Sequence, residues 1–221
     1  MDLSNHKIML LEHEKRERVL MAALSEFAKG YKQASTDTIV KTAGISKGLL
    51  FHYFGTKKDL LEFLYHYTQE FIGRELIDKI DFDEPDLLTR LWKMTALKME
   101  AVFQYPAIFD FLVMVFLSSE PELAAIKEKV NQKYDLTWTM GSQLFTNLDP
   151  DLLKEGLDPE ITLQVILHTF SGYSQTVIEL FKARPIGSSV VDQRKELDDV
   201  LAQTKIYMDF FRTTFYKKGS N

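Results

Sequence analysis

The sequence predicts an all-α protein in which a small three-helix N-terminal domain joins a larger helical body. Three observations lead there. Apolar residues recur at spacings of three and four along most of the chain. No run shows sustained alternation joined by hairpin-turn residues. The 6 prolines and 10 glycines are few and punctuate the periodic segments.

The first helix is expected over about 12–29, where Leu20, Ala23, Leu24, Phe27 and Ala28 form one apolar stripe. Gly30 suits a left-handed stop. Ser35 or Thr36 can cap a short second helix that runs to Ala43. Gly44 ends it, Ser46 can cap a third helix over about 47–54, and Gly55 stops that one. Thr56 can cap a fourth helix, which runs from Lys57 to about Ile80. After the acidic turn "DFDEPD", further helices are expected at about 86–104, 106–118, 121–146, 159–182 and 192–217. The breaks are Pro106, Pro121, "NLDPDLLKEGLDP" and "ARPIGSS". This places an N-terminal domain at 1–56 and a body at 57–221, with 57–80 as the connecting helix.

Composition narrows the function. There are no cysteines among the 221 residues, which removes disulfides, thiolate metal sites and cysteine nucleophiles and fits a cytoplasmic protein. The most apolar window, "AIFDFLVMVFL" at 107–117, is too short to span a bilayer and contains Asp110, so no membrane partner is expected. The net charge of −5 is uneven. Residues 1–60 hold 10 Lys/Arg against 7 Asp/Glu, or +3, and the remaining 161 hold 17 against 25, or −8. A polyanion would meet the N-terminal part.

Two short helices joined by a few residues that include a glycine make a helix-turn-helix. In such a unit the second helix enters the DNA major groove and presents its N-terminal residues to base edges. In "GISKGLLFHYFGTKK", Lys47 stands at that position, where it can reach phosphate or guanine. Gly48 lets backbone approach the duplex, and Leu49 can meet a thymine methyl. Leu50 and Phe54, four apart, point inward. His52 and Tyr53 lean outward. Lys57 begins the next helix, where a cation and free N–H groups make an anion site.

Over 35–61, "STDTIVKTAGISKGLLFHYFGTKKDLL" closely resembles the DNA-binding signature of the tetracycline-repressor (TetR) family of regulators, and the likeness runs over about 12–64. The resemblance implies backbone contacts at Thr36 and Lys57. It places Lys47, Gly48, Leu49, His52 and Tyr53 on the recognition helix. Two positions depart from the family pattern: Phe51 stands where tyrosine is common, and Leu49 where a small or hydroxylated residue is common.

In the body, only Glu179 is charged between Ile161 and Phe181, so that helix must be buried or paired. The resemblance implies that it and the last helix pair with their copies in a homodimer, through Phe170, Val177, Phe181, Val200, Tyr207 and Phe211. It also implies a small-molecule effector held in the body. Large side chains there are Tyr67, Met99, Phe103, Phe111 and Met114, followed by Tyr134 and Trp138. His168 and Tyr173 can supply polar groups. The expected action is that of a repressor, with effector binding favouring a dimer whose heads miss successive grooves.

Nothing nominates an enzyme. The five histidines form no HExxH pair, and there is no GxSxG elbow. No metal or other cofactor is expected. The expected partners are double-stranded DNA, an effector and a second copy. The alternative is an all-helical protein-interaction module that has lost DNA binding. Residues 1–11 carry no signal that decides between disorder and a DNA contact.

Overall fold

The computed structural model describes residues 3–133, 143–183 and 189–219. Among these the regular structure is helical, with no strand, and a single isolated bridge joins Leu153 to Tyr216. No single described helix is long and apolar enough to cross a membrane. The chain divides into two compact units: Met1–Asp78 with Ala101–Leu136 and Pro185–Val191, and Lys79–Glu100 with Thr137–Arg184 and Asp192–Asn221.

In the first unit, α1 (His13–Phe27) buries Val19, Leu20, Ala23, Leu24 and Phe27, the stripe that its spacing predicts. Gly30 follows with φ +113°, a left-handed conformation that glycine tolerates without cost to a Cβ. The next helix, α2 (Thr36–Ala43), buries Ile39 and Ala43. It is followed by α3 (Lys47–Phe54), which buries Leu50 and Phe54, and α4 (Lys57–Glu75), which buries Leu60, Leu61, Phe63 and Leu64. The fourth helix ends five residues before the expected Ile80. Asp78, Asp81 and Asp83 would stack negative charge at a helix C-terminus, and the chain instead takes a 3-10 turn at Ile77–Lys79 that buries Ile77.

Two more helices complete this unit, α6 (Pro106–Leu117) and α7 (Pro121–Lys133); between α4 and α6 in the chain comes α5 (Leu87–Gln104). Pro106 opens α6 at its first turn, where a missing N–H costs nothing. The Lys127 ammonium closes the other end of α6 by donating to the carbonyls of Val115 (3.0 Å) and Ser118 (3.1 Å). The Tyr65 hydroxyl donates to Asn131 at 2.7 Å, tying α4 to α7. The helix expected over 121–146 is described as far as Lys133; residues 134–142 lie outside the described residues.

Tyr67 on α4 is partly buried. Burial first, and then Glu17, push its pKa up to about 12. An unfolded tyrosine ionises near 10, so the stability linked to this group is complete below pH 10 and is lost as pH rises towards 12. Urea midpoints should fall over that window, and Tyr67→Phe should flatten the fall. Equal slopes for both proteins would refute the assignment.

The second unit is built on α8 (Pro159–Lys182), α9 (Arg194–Phe215) and α5 from Leu87 to Glu100. Its core is Leu87, Leu88, Leu153, Ile166, Phe211 and Tyr216. Asp86 accepts from the Leu88 N–H (2.9 Å) and the Thr89 hydroxyl (3.0 Å) at the start of α5, and also from the Arg212 guanidinium on α9. Arg90 is 1 % exposed. Its guanidinium donates to the carbonyls of Phe82 (2.8 Å), Glu84 (3.1 Å), Leu144 (2.8 Å) and Thr146 (2.9 Å), stapling two irregular segments.

Candidate nucleic-acid interface

Each of α2, α3 and α4 begins at a hydroxyl. Ser35 is the cap of α2, accepting from the Thr38 N–H at 3.3 Å. Its own N–H donates to Glu26 of α1 at 3.1 Å, which fixes where α2 starts. The helix closes on Gly44 with φ +67°. The turn is Gly44–Ile45–Ser46, and Ser46 accepts from the Leu49 N–H at 3.2 Å to begin α3. Gly55 ends α3 with φ +78°, and a Cβ there would lie 3.0 Å from a carboxylate oxygen of Asp59. Thr56 and Asp59 then form a reciprocal capping box at the head of α4.

These constraints leave α3 with two faces. Leu50 (0 % exposed) and Phe54 (5 %) are held inside. Lys47, Gly48 and His52 are exposed, while Leu49 and Tyr53 are partly buried. A Cβ built on Gly48 would meet no protein atom within 4 Å, so the fold itself does not require glycine there. Thr36, the first residue of α2, is partly buried. The Lys47 ammonium lies 2.8 Å from Asp37 in the first turn of α2, and both side chains are largely exposed. That pair was not anticipated; the ten-residue separation spans the turn, so no helical spacing signals it.

Lys57, expected at a backbone contact, lies against two rings in the DNA-free chain. Its Nζ lies 4.8 Å from the Tyr31 ring centroid and 6.0 Å from that of Phe27. Burial lowers its pKa, while Glu120 and Glu26 act the other way. Burial likewise raises the pKa of Tyr31, helped by Glu122, Glu120 and Asp59. Lys58, one residue on, is exposed.

Residues 19–64 match the sequence profile of the bacterial regulatory proteins of the tetR family. The N-terminal domain is of the TetR family. It is 29 % identical over 161 residues to the HTH-type transcriptional regulator PksA of Bacillus subtilis, covering 68 % of this chain and 73 % of that one. It is 24 % identical over 150 residues to the nucleoid occlusion factor SlmA of a Marinomonas species, covering 67 % and 73 %. Among solved structures, NalD, the secondary repressor of the MexAB-OprM multidrug efflux pump in Pseudomonas aeruginosa, superposes with a TM-score of 0.55 at 16 % identity over 94 % of this chain and 100 % of that one. FadR of Bacillus subtilis, solved with stearoyl-CoA, gives 0.50 at 20 % identity over 88 % and 96 %. Residues 19–64 are thus the helix-turn-helix, DNA-binding domain of TetR-type transcriptional regulators.

Of the residues expected at a dimer interface, Phe170, Val200, Tyr207 and Phe211 make contacts between α8 and α9 within one chain. The Phe170 and Phe211 rings lie 6.0 Å apart, Tyr173 meets Tyr207 edge-on at 5.4 Å, and the Tyr173 hydroxyl donates to the Val200 carbonyl at 3.2 Å. Phe211 is 3 % exposed. Val177 is partly buried, and the side chain of Phe181 lies outside what is described. Exposed apolar side chains lie on other faces of the same helices: Ile161 (61 %) and Val165 (43 %) on α8, Ile206 (58 %) and Phe210 (57 %) on α9. The i, i+4 pairs 161/165 and 206/210 were the available signal.

The expected effector residues fall in both units. Phe111 is buried in the core of the first unit, where Tyr67, Phe103 and Met114 are partly buried. In the second unit Met99 is partly buried, His168 is exposed, and Tyr173 has committed its hydroxyl to Val200. Tyr134 and Trp138 lie outside the described residues. A groove of about 420 Å³ runs between α1 and α2, lined by Met21, Ser25, Thr38 and Thr42 among others, and none of the expected effector residues lines it.

Proposed function

We propose that this regulator is a homodimeric repressor. It reads a pseudo-palindromic operator through two copies of α3, and a small, largely apolar effector releases it. The observation that carries the DNA-reading part is the division of α3 into a locked inner face, Leu50 and Phe54, and an outer face bearing Lys47, Gly48 and His52. In this reading Lys47 leaves Asp37 for a base edge or phosphate, Leu49 meets a thymine methyl, and His52 and Tyr53 reach into the groove. Thr36 and the lysines at the head of α4 meet phosphates. Lys58 is the more available of the two lysines, because Lys57 must first leave the Tyr31 ring.

Repression and the effector rest on resemblance. NalD is a repressor, and FadR was crystallised with a stearoyl thioester. The helices that bear Tyr67, Met99, Phe103 and Met114 are rich in large apolar side chains, which suits a ligand of that character. A screen of apolar compounds, none of which lowered DNA affinity, would remove the effector from this proposal.

The DNA-reading part is tested by fluorescence anisotropy on a duplex selected from a random pool, at several salt concentrations. Lys47→Ala should weaken binding by about 1–3 kcal/mol if its contact is to a base. If the contact is to a phosphate, the slope of log affinity against log salt should drop by about 0.9 instead. Tyr53→Ala should weaken selective binding as well. Gly48→Ala separates fold from function: it should raise thermal stability slightly, since alanine is favoured over glycine in a helix by up to about 1 kcal/mol, yet reduce DNA affinity. Selective binding that is indifferent to all three substitutions would place the reading surface elsewhere. The absence of selective binding altogether would favour the protein-interaction module.

A further inference from the structure

Residues 3–12, before α1, are built into the head. Leu3 and Ile8 are 1 % and 0 % exposed, and the chain makes two 3-10 turns, Leu3–Asn5 and Lys7–Leu10. The His6 Nδ1 accepts from the Ile8 N–H at 3.3 Å and so caps the second turn. Arg16 on α1 donates to the Met9 carbonyl at 3.3 Å and ties down the far end.

The His6 ring is stacked on Phe54, centroids 5.4 Å apart and planes 24° from parallel, and it lies 4.4 Å from the Phe63 ring. Phe54 and Phe63 meet edge-on at 5.1 Å. Three rings from three separate elements therefore form one cluster: the N-terminal segment, the last residue of α3, and α4. Burial, and secondarily the Lys7 ammonium, lower the His6 pKa, which favours the uncharged ring.

An eight-residue helix does not hold its shape or direction unaided. What anchors α3 is its inner face, Leu50 and Phe54, so the surroundings of Phe54 set the helix's tilt and rotation. We propose that Leu3–Leu10 is a strap that fixes the angle at which the recognition helix is presented, with His6, wedged between Phe54 and Phe63, as its positioning residue. Direct base contacts depend on that angle, whereas sequence-independent attraction to phosphates depends chiefly on charge. The strap thus acts on selectivity more than on total affinity. This inference rests on α3 being the DNA-reading helix.

The experiment compares the full-length protein with His6→Ala and His6→Phe. Two quantities are measured for each: affinity for the selected duplex against poly(dI-dC), and hydrogen exchange of α3 amides. His6→Ala should lower affinity for the selected duplex about tenfold and leave poly(dI-dC) binding within about twofold. Exchange at Leu50–Phe54 should speed up while α8 and α9 stay unchanged. His6→Phe keeps an aromatic ring in the wedge and should recover most of both effects. Unchanged exchange and selectivity in His6→Ala would overturn the strap, as would a His6→Phe protein no better than His6→Ala. If the parent itself shows no selective DNA binding, the DNA-reading proposal fails separately, and the exchange arm still decides whether His6 holds α3.

Discussion

Replacing Ile206 and Phe210 together by glutamate is expected to leave the protein monomeric and to abolish tight operator binding. These two side chains on α9 are 58 % and 57 % exposed in the isolated chain. Full burial of such a side chain is worth about 1.5–3 kcal/mol. In the proposed homodimer, with roughly half of each still to bury and four such groups across the two-fold interface, they would contribute about 3–6 kcal/mol to association. That corresponds to a factor of roughly a hundred to ten thousand in the dimer constant. In that dimer the substitution would remove this and set four carboxylates against one another across the interface, where they repel. A monomer holds one recognition helix and loses the gain from tethering the second, commonly a factor of about a hundred or more. Sedimentation equilibrium and anisotropy on the selected duplex measure the two effects. Thermal unfolding of the monomeric variant serves as control, since the residues lie outside the chain's own core. A variant that stays dimeric would show that the interface lies on another face.

Arg90→Met is expected to be the most damaging single change in the second unit. The guanidinium is 1 % exposed and serves the carbonyls of Phe82, Glu84, Leu144 and Thr146. A buried carbonyl left without a donor costs about 1–3 kcal/mol. Some of these groups lie in irregular segments that water can reach, so a total of about 3–5 kcal/mol is expected, comparable to removing one member of a buried charged pair. Against a typical stability of roughly 5–15 kcal/mol this is a large share. The urea midpoint, followed by circular dichroism, should fall by roughly 1–2 M. Arg90→Lys supplies three donors in place of five and should fall in between. A midpoint unchanged in Arg90→Met would mean that the staple contributes nothing to stability.

These two cases show what the sequence carried and what it withheld. The head was legible because its instructions are local. Ser35, Ser46 and Thr56 cap, Gly44 and Gly55 stop, and the four-residue interval between Leu50 and Phe54 sets the inner face. Each lies within a turn or two of the structure it governs. Arg90 meets carbonyls 54 and 56 residues away, at Leu144 and Thr146, and no periodicity announces such a partnership. The α8 and α9 faces could not be told apart for another reason. Both Tyr207 with Phe211 and Ile206 with Phe210 make apolar pairs at i, i+4, and helical spacing cannot say which pair turns inward. Burial decides it: Phe211 joins the core and Phe210 is left outside. The ring contacts of Lys57 were not legible because Phe27 and Tyr31 lie on and just beyond the first helix, far from it in sequence.

The caps and stops that bracket α3 have a consequence for altering this protein. Ser46, Leu50, Phe54 and Gly55 fix the length and seat of the helix, and none of them is needed to face outward. Positions 47, 48, 49, 52 and 53 are therefore a nearly self-contained set that can be randomised without renegotiating the scaffold. A combinatorial library at those five sites, with the four scaffold residues and His6 held constant, should yield mostly folded proteins, and its members should differ in which duplex they select. In the proposed reading the choice of target is confined to a cassette five side chains wide, so a change of regulatory address requires no new fold.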